Sequence, residues 1–285
     1  MASTLIDTGL YGPGRTAAYL ILQDSGATIF DTGARSSLPS ILARLDEVGV
    51  EATDVSRIVL SHVHLDHAGG AGALMMACPN ATLIVHPRGA RHMIDPSKLD
   101  LSSRLVYGDE VFEEMFGSLM PVPAERVKTV EDGEEIGAFK FFDSPGHAYH
   151  HLVMLDQASG ELFAGDAFGL AYPEFKFGLP STSPTQFDPE AALTTYDKII
   201  ELAPTQILIA HFGPIRNIAT QLDDVRNGIE QHVQIGQSLR DTNQIEQALL
   251  NNVPSDARDH FSLDCHMNAL GLAHWAGQVE LGPVK

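Results

Sequence analysis

The stretch Arg57-Ile58-Val59-Leu60-Ser61-His62-Val63-His64-Leu65-Asp66-His67-Ala68-Gly69-Gly70 runs from a short apolar, β-prone segment straight into three imidazoles and a carboxylate. Four such groups within six residues, just after a buried strand, would be costly without a cation to share. Neutral imidazole nitrogen and carboxylate oxygen are the donor set of divalent metals. If the loop stays extended, His62 and His64 project to one side, and after a turn Asp66 and His67 face a second metal. Gly69 and Gly70 let the backbone turn sharply into the next helix.

Working outward, residues 17–22, 27–31, 57–60 and 82–85 read as strands, with a hairpin at Gly26 and a helix after Ser37 carrying Leu38, Ile41, Leu42, Leu45 and Val48 at helical spacing. Residues 87–126 are more irregular, with Met93, Leu105, Phe112, Met115, Phe116 and Leu119. They suit either a lid over a site or a surface insertion that buries its own apolar face. Strands resume at 127–130, 140–142, 152–155, 162–164 and 206–210, with a helix at 189–202. Beyond Asn217 the pattern is helical throughout: one helix along Ile218, Leu222, Val225, Ile229 and Val233, a second over 245–250, and a third from about residue 255.

Further ligand-type residues follow strand-like runs: His147 after Ser144-Pro145-Gly146, Asp166 after Ala164-Gly165, and His211 after Ile209-Ala210. Taken with His62-Val63-His64-Leu65-Asp66-His67 and the early Asp31-Thr32-Gly33, these ordered elements resemble the metallo-β-lactamase superfamily. The resemblance covers residues 1 to about 215. Gly146-His147-Ala148-Tyr149-His150-His151 and His211-Phe212-Gly213-Pro214 resemble a less characterised subgroup. The resemblance implies an α/β fold, a four-layer αββα sandwich with a C-terminal helical extension. The organisation expected is a metal-binding domain over 1–215, with 87–126 as a lid insertion, and a helical cap over 216–285. It also implies that His62, His64 and His147 hold one metal, that Asp66, His67 and His211 hold the other, and that Asp166 bridges them. Asp31 is then a structural residue that orients the metal loop. His151 is either an outer partner of a ligand or a plain strand-face histidine, and His150 is expected to be exposed. Tyr149 and Tyr172 are possible oxyanion donors, Tyr172 being the candidate catalytic residue beside Asp66. His86, His92, His232, His260, His266 and His274 have no ligand spacing.

The chain has 285 residues, with 18 basic against 37 acidic side chains, a formal charge of −19. That surface repels phosphate backbones and anionic lipid, so neither nucleic acid nor membrane is an expected partner. It also turns away the nuclease branches of the superfamily. Two cysteines do not make a disulfide framework. The N-terminal MASTLIDTGLYGPGRT lacks a basic, apolar signal pattern, and the expected location is the cytoplasm. The function expected is a dinuclear metal-dependent hydrolase acting on a small, moderately hydrophobic ester, thioester or lactone, through a metal-bridging hydroxide. Asp66 would move a proton to the leaving group. The cofactors are two divalent metal ions, zinc first and iron or manganese as alternatives. The partner is a small-molecule substrate, and a homodimer is compatible. The competing reading is a diiron oxygen-binding or redox protein of the same fold.

Overall fold

The computed structural model of the chain describes residues 3–182 and 185–277. One sheet runs, in spatial and chain order alike, through β1 (Thr4–Asp7), β2 (Ala17–Gln23), β3 (Gly26–Phe30), β4 (Val55–Val59), β5 (Thr82–Val85) and β6 (Val127–Thr129). Its first two pairings are antiparallel hairpins and the remaining three are parallel. The second sheet orders β7 (Glu135–Ile136), β8 (Phe139–Asp143), β9 (Leu152–Asp156), β10 (Glu161–Gly165), β11 (Gln206–Ile209) and β12 (Gly213–Pro214). Within it β10 and β11 pair in parallel.

The two-residue period of each strand builds the layers. In β2, Ala17, Tyr19 and Ile21 point between the sheets, while Ala18 and Leu20 point outward. In β10, Phe163 points inward and Leu162 and Ala164 outward. Phe30, Phe139, Phe141, Leu152 and Met154 complete the layer between the sheets. The outward face of the first sheet is covered by α1 (Leu38–Glu47), α3 (Ala71–Ala77) and α4 (Pro87–Ile94), through Ile41, Leu45, Leu74, Met75 and Met93. The outward face of the second is covered by α7 (Pro189–Glu201), α8 (Ile218–Ser238), α9 (Thr242–Asn252) and α10 (Ser262–Trp275). These helices share one apolar cluster with Leu162, Ile207 and Ile209. The architecture is the expected four-layer αββα sandwich with C-terminal helices.

Capping explains where the helices begin. Asp188 accepts from the N–H groups of Glu190 and Ala191, with Pro189 in the first turn of α7, and Asn217 accepts from Thr220 N–H at the start of α8. The third C-terminal helix begins at Ser262 instead of near residue 255. Residues 255–261 form turns, and the Arg258 guanidinium reaches back to the Val253 and Asn251 carbonyls at the end of α9. The two-residue strands β7 and β12 are too short to show a period in the sequence, and β1 is a further strand beyond those the sequence predicts.

The segment 87–126 forms α4, α5 (Ser97–Tyr107) and α6 (Asp109–Met115). Phe112 and Phe116 pack on Leu10, Ala34 and Leu65, the last lying inside the metal-ligand motif. Cys78 and Cys265 are buried on opposite outer faces of the sandwich and are free. Among the described residues, no helix is long and apolar enough to cross a membrane.

Candidate metal centre

The ligand-type residues all leave the carboxyl ends of strands at one edge of the sandwich: His62 after β4, His147 after β8, Asp166 after β10 and His211 after β11. A backbone bond from Leu152 N–H to the Ser61 carbonyl (2.8 Å) ties the two sheets together at this edge. After Ser61 the chain is extended through His64 (φ −65, ψ 151) and then turns into the one-turn α2 (Leu65–Ala68). His62 and His64 therefore stand on the extended part, while Asp66 and His67 stand on the helical turn.

Two glycines set the approach. Gly146 (φ +132) lies so close to α7 that a Cβ there would sit 2.4 Å from the Ala192 Cα. A Cβ on Gly165 (φ +50) would sit 2.6 Å from the Ser61 Cβ. Any side chain at either position would push His147 or Asp166 out of place.

Three overlapping donor groups result: His62 with His64 and His147; His62 with His67 and Asp166; and Asp66 with His67 and His211. Within each group the ligand atoms lie within 4.8 Å of one another. The His147 Nε2 is 3.1 Å from the His62 Nε2 and 2.8 Å from the His64 Nδ1. The His67 Nε2 is 3.6 Å from Asp66 Oδ2 and 3.4 Å from Asp166 Oδ1. The His211 Nε2 is 3.5 Å and 3.4 Å from the same two oxygens. All seven candidate ligands of the sequence are brought together, while Tyr172, the candidate catalytic residue, is in none of these groups.

The opposite nitrogens are anchored, which fixes the tautomers. Asp31 (φ 62) accepts from Ser61 N–H (2.7 Å), from Ser61 Oγ (2.8 Å) and from His67 Nδ1 (3.0 Å). Because Ser61 Oγ spends its proton on Asp31, His62 Nδ1 donates to Ser61 Oγ at 3.0 Å. Ser181 Oγ donates to Asp166 Oδ2 (3.3 Å) and accepts from His147 Nδ1 (2.9 Å). His211 Nδ1 donates to the Arg15 carbonyl at 3.1 Å. His151 lies one layer out: its Nε2 accepts from Asp166 N–H (3.1 Å), so its Nδ1 donates to Ser144 Oγ (2.7 Å).

Burial pushes the pKa values of His62 and His147 well below the usual histidine range, with help from the neighbouring imidazoles. At His67 burial opposes charge too, yet the Asp66, Asp166 and Asp31 carboxylates outweigh it and push the pKa up to about 10. Asp66 is also opposed by burial, and His67 and His211 hold its carboxyl well below the usual range. A cluster that gathers neutral imidazoles on one side and concentrates negative charge on the other is built for cations. Among the described residues, the buried His67 Nε2 and Asp166 Oδ1 have no hydrogen-bond partner, as expected of atoms that face a metal. The donor set fits divalent ions.

A cavity of about 350 Å³ opens onto His64, Asp66, Asp166 and His211. Its walls are largely apolar: Leu99, Val106, Val111 and Met115 from the α5–α6 region, and Leu263, Met267 and Leu270 from α10. None of the described lining residues is Lys or Arg.

Several residues here escaped the sequence reading. Tyr11 and Tyr107 line the cavity, and burial pushes the pKa of each hydroxyl above the usual tyrosine range. Tyr11 sits in a Gly-Pro-Gly turn and Tyr107 at the end of a helix, and neither has a local signature. Asp264 comes from the C-terminal helix. His150, expected to be exposed, is buried and lines the cavity beside His92, because its ring stacks on His62 at 6.2 Å between centroids. Tyr149 is exposed. Tyr172 is buried behind the wall and its hydroxyl donates to Asp264.

Comparison with known proteins agrees with this geometry. The chain aligns at 24% identity over 198 residues with the uncharacterised protein YobT of Bacillus subtilis, covering 68% of this chain and 81% of that one. It aligns at 27% over 173 residues with the N-acyl homoserine lactonase AiiA of Bacillus thuringiensis subsp. kurstaki, a match spanning 59% of each protein. Its fold is similar to that of an archaeal metallo-beta-lactamase superfamily protein of Sulfolobus tokodaii, with a TM-score of 0.69 at 22% identity, over 95% of this chain and 98% of the other. The family model for the metallo-beta-lactamase superfamily matches residues 11–213. With that match over most of its length and the His62–His67 motif folded into a shared ligand cluster, the chain belongs to the metallo-beta-lactamase superfamily.

Proposed function

We propose that this protein is a metal-dependent hydrolase that cleaves a small, moderately hydrophobic lactone, ester or thioester. The observation that carries this reading is the cavity. Its wall includes part of the ligand cluster and is otherwise largely apolar, and none of its described lining residues is a Lys or Arg that would hold a phosphate or carboxylate. A neutral head with an acyl tail matches both parts of that wall. The partial alignment with lactonases supports the same class.

In this reading His62, His64 and His147 hold one divalent ion, Asp66, His67 and His211 hold a second, and Asp166 stands between them. When bound, the two ions, zinc first, would supply a water that ionises near neutral pH and a Lewis acid for the acyl carbonyl. The chain's own residues do the rest. Asp31 and Ser61 orient His62 and His67, and Ser181 orients His147. The α5–α6 region acts as a lid and α10 as a cap, and together they exclude water and hold the tail. Asp66, an ionised carboxylate at the cavity wall, takes up the proton released by the attacking water and passes it to the leaving oxygen or sulfur. Tyr172 acts through Asp264 as a positioning residue.

The test is metal analysis of the purified protein joined to a panel of lactones, thioesters and aryl esters. Turnover that is lost on chelation and restored by zinc is expected. Two irons per chain, an oxygen-dependent absorption band and no turnover across the panel would instead establish the diiron redox reading.

A further inference from the structure

Two of the candidate ligands depend on one serine in an irregular stretch of chain. Ser181 accepts from His147 Nδ1 (2.9 Å) and donates to Asp166 Oδ2 (3.3 Å), so its hydroxyl joins a ligand of one donor group to the carboxylate that stands between the groups. It lies in the segment 178–182, between β10 and α7. Apart from a single bridge between Leu170 and Leu179, that segment has no regular secondary structure. A serine on such a stretch carries backbone and rotamer freedom that must be removed before it can hold two ligands at once.

The C-terminal helices remove it. Asn268, buried in α10, brackets Ser181 from both sides: its Oδ1 accepts from the Thr182 N–H (2.7 Å) and its Nδ2 donates to the Pro180 carbonyl (2.9 Å). One partner can only donate and the other can only accept, so the orientation of the amide is dictated by its surroundings. Asp in its place would lack the donor, and Leu would lack both groups. Helix α8 adds to the clamp. Asp224 accepts from the Gly178 N–H (3.0 Å), and Gly228 lets the helix close on Pro180, where a Cβ would sit 2.5 Å from the ring Cδ. The side chains that fix the serine-bearing segment therefore come from α8 and α10, 40 or more positions along the chain.

We propose that Asn268 is a positioning residue of the metal centre: through Pro180 and Thr182 it fixes Ser181, and through Ser181 it sets His147 and Asp166 at the spacing a divalent ion needs. The C-terminal extension is then a working part of the centre as well as its cover, because outer partners that orient ligands tune how tightly a metal is held. This assignment rests on the metal-dependent reading of the site and on no particular substrate.

The test is a double-mutant cycle read by zinc affinity, in competition with a chromophoric chelator, on the full chain. Asn268→Ala and Ser181→Ala should each weaken zinc about 10- to 100-fold. The double variant should lie within about threefold of Ser181→Ala alone, because the serine is the route by which Asn268 acts. Leu272→Ala is the control for general loosening: Leu272 is buried one turn further along α10, against α8 near Gly236, and its loss should lower stability yet leave zinc affinity within about threefold. In cobalt(II)-loaded protein the visible bands should shift alike in Asn268→Ala and Ser181→Ala and stay in place in Leu272→Ala. Should Asn268→Ala not fold, Asn268→Asp, which keeps the shape and the Thr182 bond but loses the Pro180 bond, takes its place in the cycle. Unchanged affinity in the Asn268 or Ser181 variant, additive losses in the double variant, or an equal loss in Leu272→Ala would each overturn the proposal. Turnover is measured separately: the expected zinc losses with no hydrolysis of any substrate remove the proposed function and leave this assignment, and hydrolysis with unchanged zinc affinity does the reverse.

Discussion

The Nε2 atoms of His62 and His147 lie 3.1 Å apart, and each ring spends its Nδ1 proton on a serine. Two unprotonated nitrogens thus point at each other in a buried site, an arrangement that a shared cation relieves. His147→Ala should lose one of the two metals per chain, and His211→Ala the other, as read by elemental analysis after gel filtration. Retention of both metals by either variant would show that the donor groups are assigned wrongly.

His151 is in none of the three donor groups; its ring stacks on His62 at 4.8 Å between centroids, and it holds the Asp166 N–H and Ser144. His151→Phe leaves that N–H buried without a partner, at a cost of about 1–3 kcal/mol. Metal affinity should drop about 10- to 100-fold, the usual loss for an outer-layer partner. Competition with a chelator checks this, and an unchanged affinity would reduce His151 to packing.

Metal-free protein should be most stable near neutral pH. His62, His147, His150 and His151 fold with pKa values below their ordinary 6.5, so their contribution is present above that pH and is lost as pH falls. His67 has the opposite sign: raised to about 10, its contribution is full below 6.5 and disappears as pH rises through about 10. The urea midpoint of chelator-treated protein should therefore decline toward both about pH 5 and about pH 10. A midpoint that climbs steadily over the alkaline range would rule out a protonated His67.

The apolar walls predict a chain-length effect. Each methylene added to the acyl tail, until the cavity is full, should raise kcat/KM about fourfold, the equivalent of ~0.8 kcal/mol per buried CH2. Met267→Trp, which fills the outer cavity, should flatten that series while leaving short substrates nearly unaffected. A flat series in the wild type would place the tail outside the cavity.

Phe163 is fully buried between the sheets, 5.6 Å from the Tyr19 ring and 5.4 Å from the Phe30 ring. Phe163→Ala should cost about 3–5 kcal/mol of stability in a denaturant titration. A loss under about 1 kcal/mol would mean that the two sheets do not depend on this contact.

The sequence by itself determined the layers and the metal-binding chemistry. The continuous apolar run from Ala17 to Leu22 marks a strand covered on both faces, and the ligand types at 62–67, 147, 166 and 211 follow strand-like runs that any α/β reading detects. These are local or regularly spaced signals, and local physics writes them. Only the tertiary structure decided what surrounds the cluster. It brought Arg15, Tyr172 and Asp264 together from across the chain, put Tyr11 against Tyr107, and buried His150 on His62. Such contacts join residues up to 249 positions apart, as with Arg15 and Asp264. A carboxylate on a helix reads as a solvated charge until the fold shows which cavity it lines, because burial and partner choice are properties of the packed chain.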